Sequence, residues 1–155
     1  MKEYEIASHK DLEELYQLQK IAFESEAEML GSRNIPALLE SYEEFERDFD
    51  NWIVVIKRDS QGKIMASARY FKKNDTIEVG RLMVAPSFRN QGLAFSIMKN
   101  VEDHSRGSKF ELFTCTRSWI NIRLYEKLGY RIFKEGIDDN ELPLAYMEKC
   151  INENT

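Results

Sequence analysis

An α+β domain, with helices layered on both faces of a mixed and mostly antiparallel sheet, is the fold class this sequence predicts. Three observations carry the prediction. Apolar residues recur at helical spacing through the first third of the chain. Three strand-like stretches then follow one another, separated by turn-forming residues. After them, a strand–helix–strand stretch over residues 77–116 requires a parallel pair with a right-handed crossover. The length of 155 residues suits one domain, taken as residues 1–155.

Each element has a local reason. Ser8 and Asp11 have the spacing of a capping box, and Leu12, Leu15, Leu18 and Ala22 recur at helical spacing behind them. "GSRNIP" (31–36) breaks that helix, and Ser41 with Glu44 offers a second cap for a helix ending near Phe49. Residues 51–57 and 64–72 read as strands around the turn "DSQGK", and 77–84 reads as a third strand after "NDT". Leu93, Ala94, Ile97, Met98 and Val101 return to helical spacing, and "RGSK" (106–109) ends that helix. Residues 110–116 form the next strand. Ser118 is placed to cap a helix through Leu128, which Gly129 stops. Strands over 130–137 and 144–151 close the chain.

Composition narrows the function classes. A net charge of −5 argues against general nucleic-acid binding. The longest apolar runs, such as 52–56, are too short to cross a membrane, and the first residues carry no signal-peptide pattern. A cytoplasmic location is therefore expected. Cys115 and Cys150 sit in apolar strand-like contexts and read as two reduced, buried thiols. Two histidines and two scattered cysteines make no convincing zinc site, so no metal is expected. Charge is uneven along the chain. Residues 1–50 hold 14 acids and 5 bases, a balance of −9, and residues 51–155 hold 13 acids and 17 bases, a balance of +4. That pattern is either two solvated acidic helices or one end suited to a cation and another suited to an anion.

The chemistry concentrates in "SFRNQGLAF" (87–95). A helix N-terminus carries unpaired N–H groups and a partial positive charge, which together suit phosphate. Gly92 lets the backbone approach an anion without a Cβ in the way, Ala94 keeps the surface low, and Arg89 adds a charge-assisted contact. Asn90 and Gln91 add amide donors. Physics alone leaves this loop either an anion seat or a plain strand-to-helix turn.

The wider context resembles a known family. "RLMVAPSFRNQGLAFSIMK" (81–99) resembles motif A of the GNAT superfamily of acyl-CoA-dependent N-acyltransferases, with Arg89, Gly92 and Ala94 at its key positions and Leu82, Met83 and Val84 before them. "NIRLYEKLGYRIFK" (121–134) is similar to the superfamily's second signature, with Asn121, Tyr125, Gly129 and Tyr130 in place. Residues 23–45 look like the paired N-terminal helices of a bacterial-type, single-domain branch. Phe95 stands where a small or hydroxyl residue is usual.

The resemblance implies a GNAT-like sheet whose central parallel strands splay to admit acetyl-CoA. It implies that the backbone of Arg89, Asn90, Gln91, Gly92, Leu93 and Ala94 binds the cofactor's pyrophosphate. Leu82, Met83 and Val84 would pair with the pantetheine arm, and an N–H near Met83 would polarise the thioester carbonyl. Asn121 would bond the pantetheine, and Tyr125, on the same helical face, would protonate the leaving thiolate. Packing in the core is the other reading of Tyr125. Glu78 is the candidate base through water, or else a solvent-facing strand residue that alternation puts on one face with Gly80, Leu82 and Val84. Arg33 and Asn34 are candidate acceptor contacts. The acidic helices favour a cationic amine or polyamine, and Arg33 favours a carboxylate, as in an amino acid. The implied activity is transfer of an acetyl group from acetyl-CoA to a primary amine of a small molecule, in a homodimer. The alternative is a catalytically silent acyl-CoA sensor on the same fold.

Overall fold

A computed structural model describes residues 4–151. The sheet has seven strands in the order β1-β2-β3-β4-β5-β7-β6. They are β1 (Glu5–Ile6), β2 (Ile53–Arg58), β3 (Ile64–Lys73), β4 (Thr76–Val84), β5 (Lys109–Cys115), β6 (Arg131–Ile137) and β7 (Pro143–Cys150). Every neighbouring pair is antiparallel except β4 with β5. The helices are α1 (Leu12–Leu30), α2 (Pro36–Leu39), α3 (Tyr42–Phe49), α4 (Leu93–His104) and α5 (Trp119–Lys127). The sequence reading lacks β1 and α2, because two and four residues are too few to display a period.

Alternation along the strands makes both faces of the sheet apolar, as a sheet covered on both sides requires. In β2, Val55 packs with α4 and α5 in one cluster, while Val54 and Ile56 pack with α1 and α3 in another. The capping signals operate at two of the three expected sites. Ser8 N–H donates to the Asp11 carboxylate at 3.0 Å, and Ser41 and Glu44 exchange both of their capping bonds. The third expectation is corrected: Ser118 precedes α5 but makes no side-chain cap, because its hydroxyl donates to Glu26 on α1. Cys115 is buried as expected. Cys150, the last residue of β7, is exposed, contrary to the expected burial.

The site depends on what happens halfway along β4. Ser67 pairs with Met83 but Arg69 pairs with Gly80, so the register slips by one residue around Arg81, whose φ of 47° lies in the left-handed region. This is a β-bulge. It reverses alternation beyond it. Ile77 and Val79 face the α4–α5 cluster before the bulge, and Leu82 and Val84 face it after. Glu78 therefore does not share a face with Leu82 and Val84, contrary to the simple alternation above. Arg81 reaches back to Glu40 at 3.0 Å, which ties the bulge to the segment between α2 and α3.

The bulge also ends the parallel pairing. Thr76, Ile77 and Glu78 pair with Lys109, Phe110 and Glu111, and no pair follows. β5 continues beside β7 up to Cys115, so β4 and β5 separate over their second halves. The closed end is held by a tight approach before β5. A Cβ on Gly107 would lie 2.8 Å from the Asp75 carbonyl oxygen and 3.0 Å from Ile77, and Ser108 N–H donates to that same oxygen at 2.7 Å. Gly107→Ala should therefore lower stability by roughly 1–3 kcal/mol, read as a drop in urea midpoint. An unchanged midpoint would mean that the closed end of the pair does not depend on this contact.

Candidate active site

A cleft of about 730 Å³ lies where β4 leaves β5, a volume in the range of small-molecule sites. Leu82, Met83 and Val84 of β4 line it on one side, Phe88, Arg89, Asn90, Gly92 and the start of α4 at one end, and Trp119, Ile120, Asn121, Leu124 and Lys127 on the α5 side. Residues of the second half of α1, from Ala22 to Met29, form the remaining wall. Its surface is mainly apolar. Phe95, Trp119 and Ile120 are 40%, 56% and 53% exposed and form an apolar rim.

The loop end is built for an anion. Asn90 and Gly92 both adopt left-handed backbone, with φ of 63° and 76°, and Gly92 is the N-cap of α4 without any side-chain cap. The first bond into the helix runs from Ser96 N–H to Gly92 O at 3.0 Å. The N–H groups of Leu93, Ala94 and Phe95 thus precede the helical ladder and carry its positive end. Arg89, Asn90, Gly92, Leu93 and Ala94 line the cleft, whereas Gln91 is exposed and does not.

The β4 side has a defined polarity. Ala85 N–H donates to Met65 O at 2.8 Å, and pairing then steps from Val84–Ala66 to Met83–Ser67. Antiparallel ladders alternate, so the Met83 N–H points toward β3. The backbone groups turned to the opened side belong to Leu82 and Val84. The donor expected near Met83 is therefore the N–H of Leu82 or of Val84, because the bulge sets which groups face the gap.

The polar end is built from two helices. Glu26 of α1 is half-buried in the cleft wall. Its Oε1 accepts from Ser118 Oγ at 2.8 Å and from Asn121 Nδ2 at 3.2 Å. Burial raises the Glu26 carboxyl above its ordinary value, against these two bonds, which lower it. Tyr125 is buried one turn beyond Asn121, edge-on to Tyr130 at a ring distance of 6.0 Å. Burial, and then the nearby Glu26 charge, push its hydroxyl well above the usual phenol range, so it keeps its proton. Tyr125 packs behind the cleft wall rather than in it.

Other expected residues lie elsewhere. Glu78 does not line the cleft. It sits at the closed end of the parallel pair, where burial first and the Glu111 charge second raise its carboxyl. Arg33 is ion-paired with Glu24 on the exposed side of α1, and Asn34 N–H donates to Ser32 Oγ at 3.1 Å. The residue that sequence reasoning missed is Glu26. A signal was present, because 22, 26 and 30 are spaced as one helical stripe, and an acid stands there between Ala22 and Leu30. No group of His, Cys, Asp and Glu among the described residues could hold a metal, and no described helix is long and apolar enough to cross a membrane.

A mixed sheet opened at its parallel pair, with a cleft at the opening and an uncapped helix start beside it, defines an α+β fold with a ligand-sized site at the gap. The model of the acetyltransferase (GNAT) family matches residues 12–130, and the chain belongs to that family. It is 25% identical over 131 residues to the UPF0157 protein YqkA of Bacillus subtilis (strain 168). That match covers 82% of this chain but 37% of the relative, so the chain spans little more than a third of that protein. A GNAT-family acetyltransferase from Streptococcus agalactiae has the same fold, with a TM-score of 0.81 at 14% identity over 97% of this chain and 95% of that one. The ribosomal-protein-S18-alanine N-acetyltransferase of Escherichia coli gives 0.77 at 18% identity over 98% and 97%. The spermidine N-acetyltransferase of Vibrio cholerae, solved with CoA and spermine, gives 0.73 at 15% over 95% and 94%. At these identities the likeness is one of fold.

The raised Glu26 carboxyl makes a stability prediction. A carboxyl with a raised folded value binds its proton more tightly in the folded chain than in the unfolded one. The stability it contributes is full below the ordinary value of 4.5 and is lost as pH rises through the raised value. Glu26→Gln removes that loss. The variant's Tm should exceed the wild type's at neutral pH, by about 2–4 °C per kcal/mol relieved, and the gap should close in acid. Thermal denaturation across pH checks this, and a variant less stable at every pH would contradict it.

Proposed function

We propose that this chain is an acetyl-CoA-dependent N-acetyltransferase that moves the acetyl group to a primary amine of a small molecule by direct attack in a ternary complex. The observation that carries the reading is the cleft itself. It joins an uncapped helix start, an opened strand edge and the half-buried Glu26–Asn121 pair in one continuous space, with Tyr125 packed directly behind its wall.

Each end has a role in this reading. The N–H groups of Leu93, Ala94 and Phe95, with Arg89 and Asn90, hold the pyrophosphate of coenzyme A. The pantetheine arm lies along 82–84 and satisfies the backbone groups of Leu82 and Val84 that β5 leaves unpaired. The Leu82 N–H, rather than that of Met83, polarises the thioester carbonyl as it becomes an oxyanion. Asn121, whose amide N–H is taken by Glu26, keeps its carbonyl oxygen for the pantetheine amide. Tyr125, one turn from Asn121 on the same helix and protonated, is assigned the proton given to the departing thiolate. Glu78, Gln91, Arg33 and Asn34 lie off the cleft and receive no role in it. A primary amine as acceptor is supported by the amine substrates in the names of the structural relatives.

A module that binds the cofactor without turnover is the second reading, favoured by the placement of Tyr125 behind the cleft wall. Thiol release from acetyl-CoA over a panel of amines separates the two. Tyr125→Phe should lower kcat by about 10²-fold or more, with coenzyme A affinity unchanged. Turnover equal to wild type would reduce Tyr125 to core packing, and tight cofactor binding without turnover on any amine would support the second reading. Gly92→Val tests the other end. A β-branched residue at a φ of 76° is strained and adds bulk at the phosphate seat. It should weaken coenzyme A binding about tenfold or more, equal to about 1.4 kcal/mol, by calorimetry.

A further inference from the structure

Glu26 is out of place by the rules that govern the rest of α1. Its neighbours on the helix settle their charges elsewhere. Glu14 accepts from Ile64 N–H at 2.7 Å and faces Arg58, and Glu24 pairs with Arg33. Glu26 instead points into a mainly apolar cleft, and no ion pair holds it among the described residues. A carboxylate withdrawn from water without a cation is costly. Two features show that the position is nonetheless built. Ser118, fully buried, gives its hydroxyl to Glu26 rather than capping α5. Both hydrogen bonds also converge on Oε1, which leaves Oε2 with none among the described residues.

From this geometry we infer that Glu26 receives the ammonium of the acceptor, with Oε1 clamped by Ser118 and Asn121 and Oε2 presented to the substrate. The inference rests on the acetyltransferase reading above, and it narrows the acceptor to amines that arrive protonated. The ammonium supplies the positive partner that Glu26 lacks among the described residues, and it hands one proton to Oε2. The neutral nitrogen then attacks the thioester carbonyl carbon. The C–S bond breaks as the sulfur takes the surplus proton of the attacking nitrogen, relayed through the Tyr125 hydroxyl, which gives one proton and accepts the other in the same step. Glu26 returns its proton to solvent. The sum is an ammonium and a thioester giving an amide, a thiol and one proton.

The groups around Glu26 fit this assignment. Ser118, Asn121 and Tyr125 face it from α5. Arg117 is turned to the Leu30 carbonyl at 3.3 Å, and Lys127 and Arg89 line the same cleft, as do the uncharged residues 82–84. With its carboxyl raised by burial, Glu26 is a stronger base than a surface carboxylate.

Glu26→Gln is the test, because the amide oxygen can keep both bonds at Oε1 while the charge and the base at Oε2 are lost. Thiol release is measured for wild type and variant with acetyl-CoA and two primary amines of similar size. One is strongly basic, and the other is so weakly basic that it is neutral at the assay pH. The variant should lose about 10²-fold or more in kcat/KM for the basic amine, and little for the neutral one. The acidic limb of the wild-type kcat/KM profile should vanish, and calorimetric affinity for coenzyme A should not change. Equal losses for both amines would make Glu26 a structural residue, and no loss for either would remove it from the site; each overturns the inference while leaving the acetyltransferase reading intact. A wild-type protein that binds coenzyme A but releases no thiol with any amine would overturn that underlying reading, and this inference with it.

Discussion

Two strands in the middle of a sheet cannot part company without consequence, because their backbone donors and acceptors then need other partners. Here β4 and β5 pair over three residues and then diverge. The bulge at Arg81 makes the divergence possible, Gly107 and Ser108 hold the closed end, and β7 keeps β5 straight on its far side. What fills the gap decides what the molecule is. On the α1 side, Ala27, Leu30, Ile35 and Ala37 pack against Cys115, Leu142 and Leu144, sealing part of the opening with apolar contacts. What remains open is the cleft, with the Leu82 and Val84 backbone at its edge. An extended ligand arm that carries amides is the chemistry that satisfies such an edge.

The helix that spans the gap is anchored at its far end. Arg58 of β2 reaches Asp11 at 2.6 Å, with Glu5 and Glu14 around the same guanidinium. This network pins the start of α1 to the sheet, while its second half crosses the opening and carries Glu26 to α5. Part of the acid surplus of the first 50 residues therefore has a structural meaning. Asp11, Glu5 and Glu14 serve Arg58, Glu40 serves Arg81, and Asp48 lies 3.6 Å from Arg69. Arg69 itself is buried against the Trp52 ring at 4.0 Å, and burial, followed by the Arg81 charge, pushes it down to about 10. Among the acids of this region, Glu26 is the one that lines the cleft.

The sequence made some of this legible and hid the rest, for physical reasons. Periodicity reports burial, so the long elements and their order could be read directly from stripes such as Leu12, Leu15 and Leu18. The strand–helix–strand unit could be read as parallel because topology leaves no other choice. The bulge had one signal, the isolated Gly80 inside "VGRLMV", but a lone glycine in a strand fits a close backbone approach as well as a bulge and does not fix the register. That one slip misplaced Glu78 relative to Leu82 and moved the available N–H off Met83. Ser118 misled for a related reason. A serine before a helix is a cap by local logic, but a buried carboxylate from a segment 92 residues away competes for its hydroxyl and wins. Local signals predict local bonds; the site is made where long-range partners override them.

Phe95 shows how far the loop's logic extends. A large ring at the third position of α4 looks incompatible with a phosphate seat that Gly92 and Ala94 keep open. In a helix, however, every Cα–Cβ bond tilts toward the N-terminus and away from the axis, while the N–H groups point along it. The Phe95 ring can therefore stand at the rim of the cleft, exposed, while its N–H stays directed at the seat. The seat needs small residues only where a side chain would lie between ligand and backbone. Gly92 meets that condition through its left-handed backbone with nothing within 4 Å of a would-be Cβ, and Phe95 lies one step beyond it. A bulky residue there widens the apolar rim formed with Trp119 and Ile120 instead of closing the phosphate site.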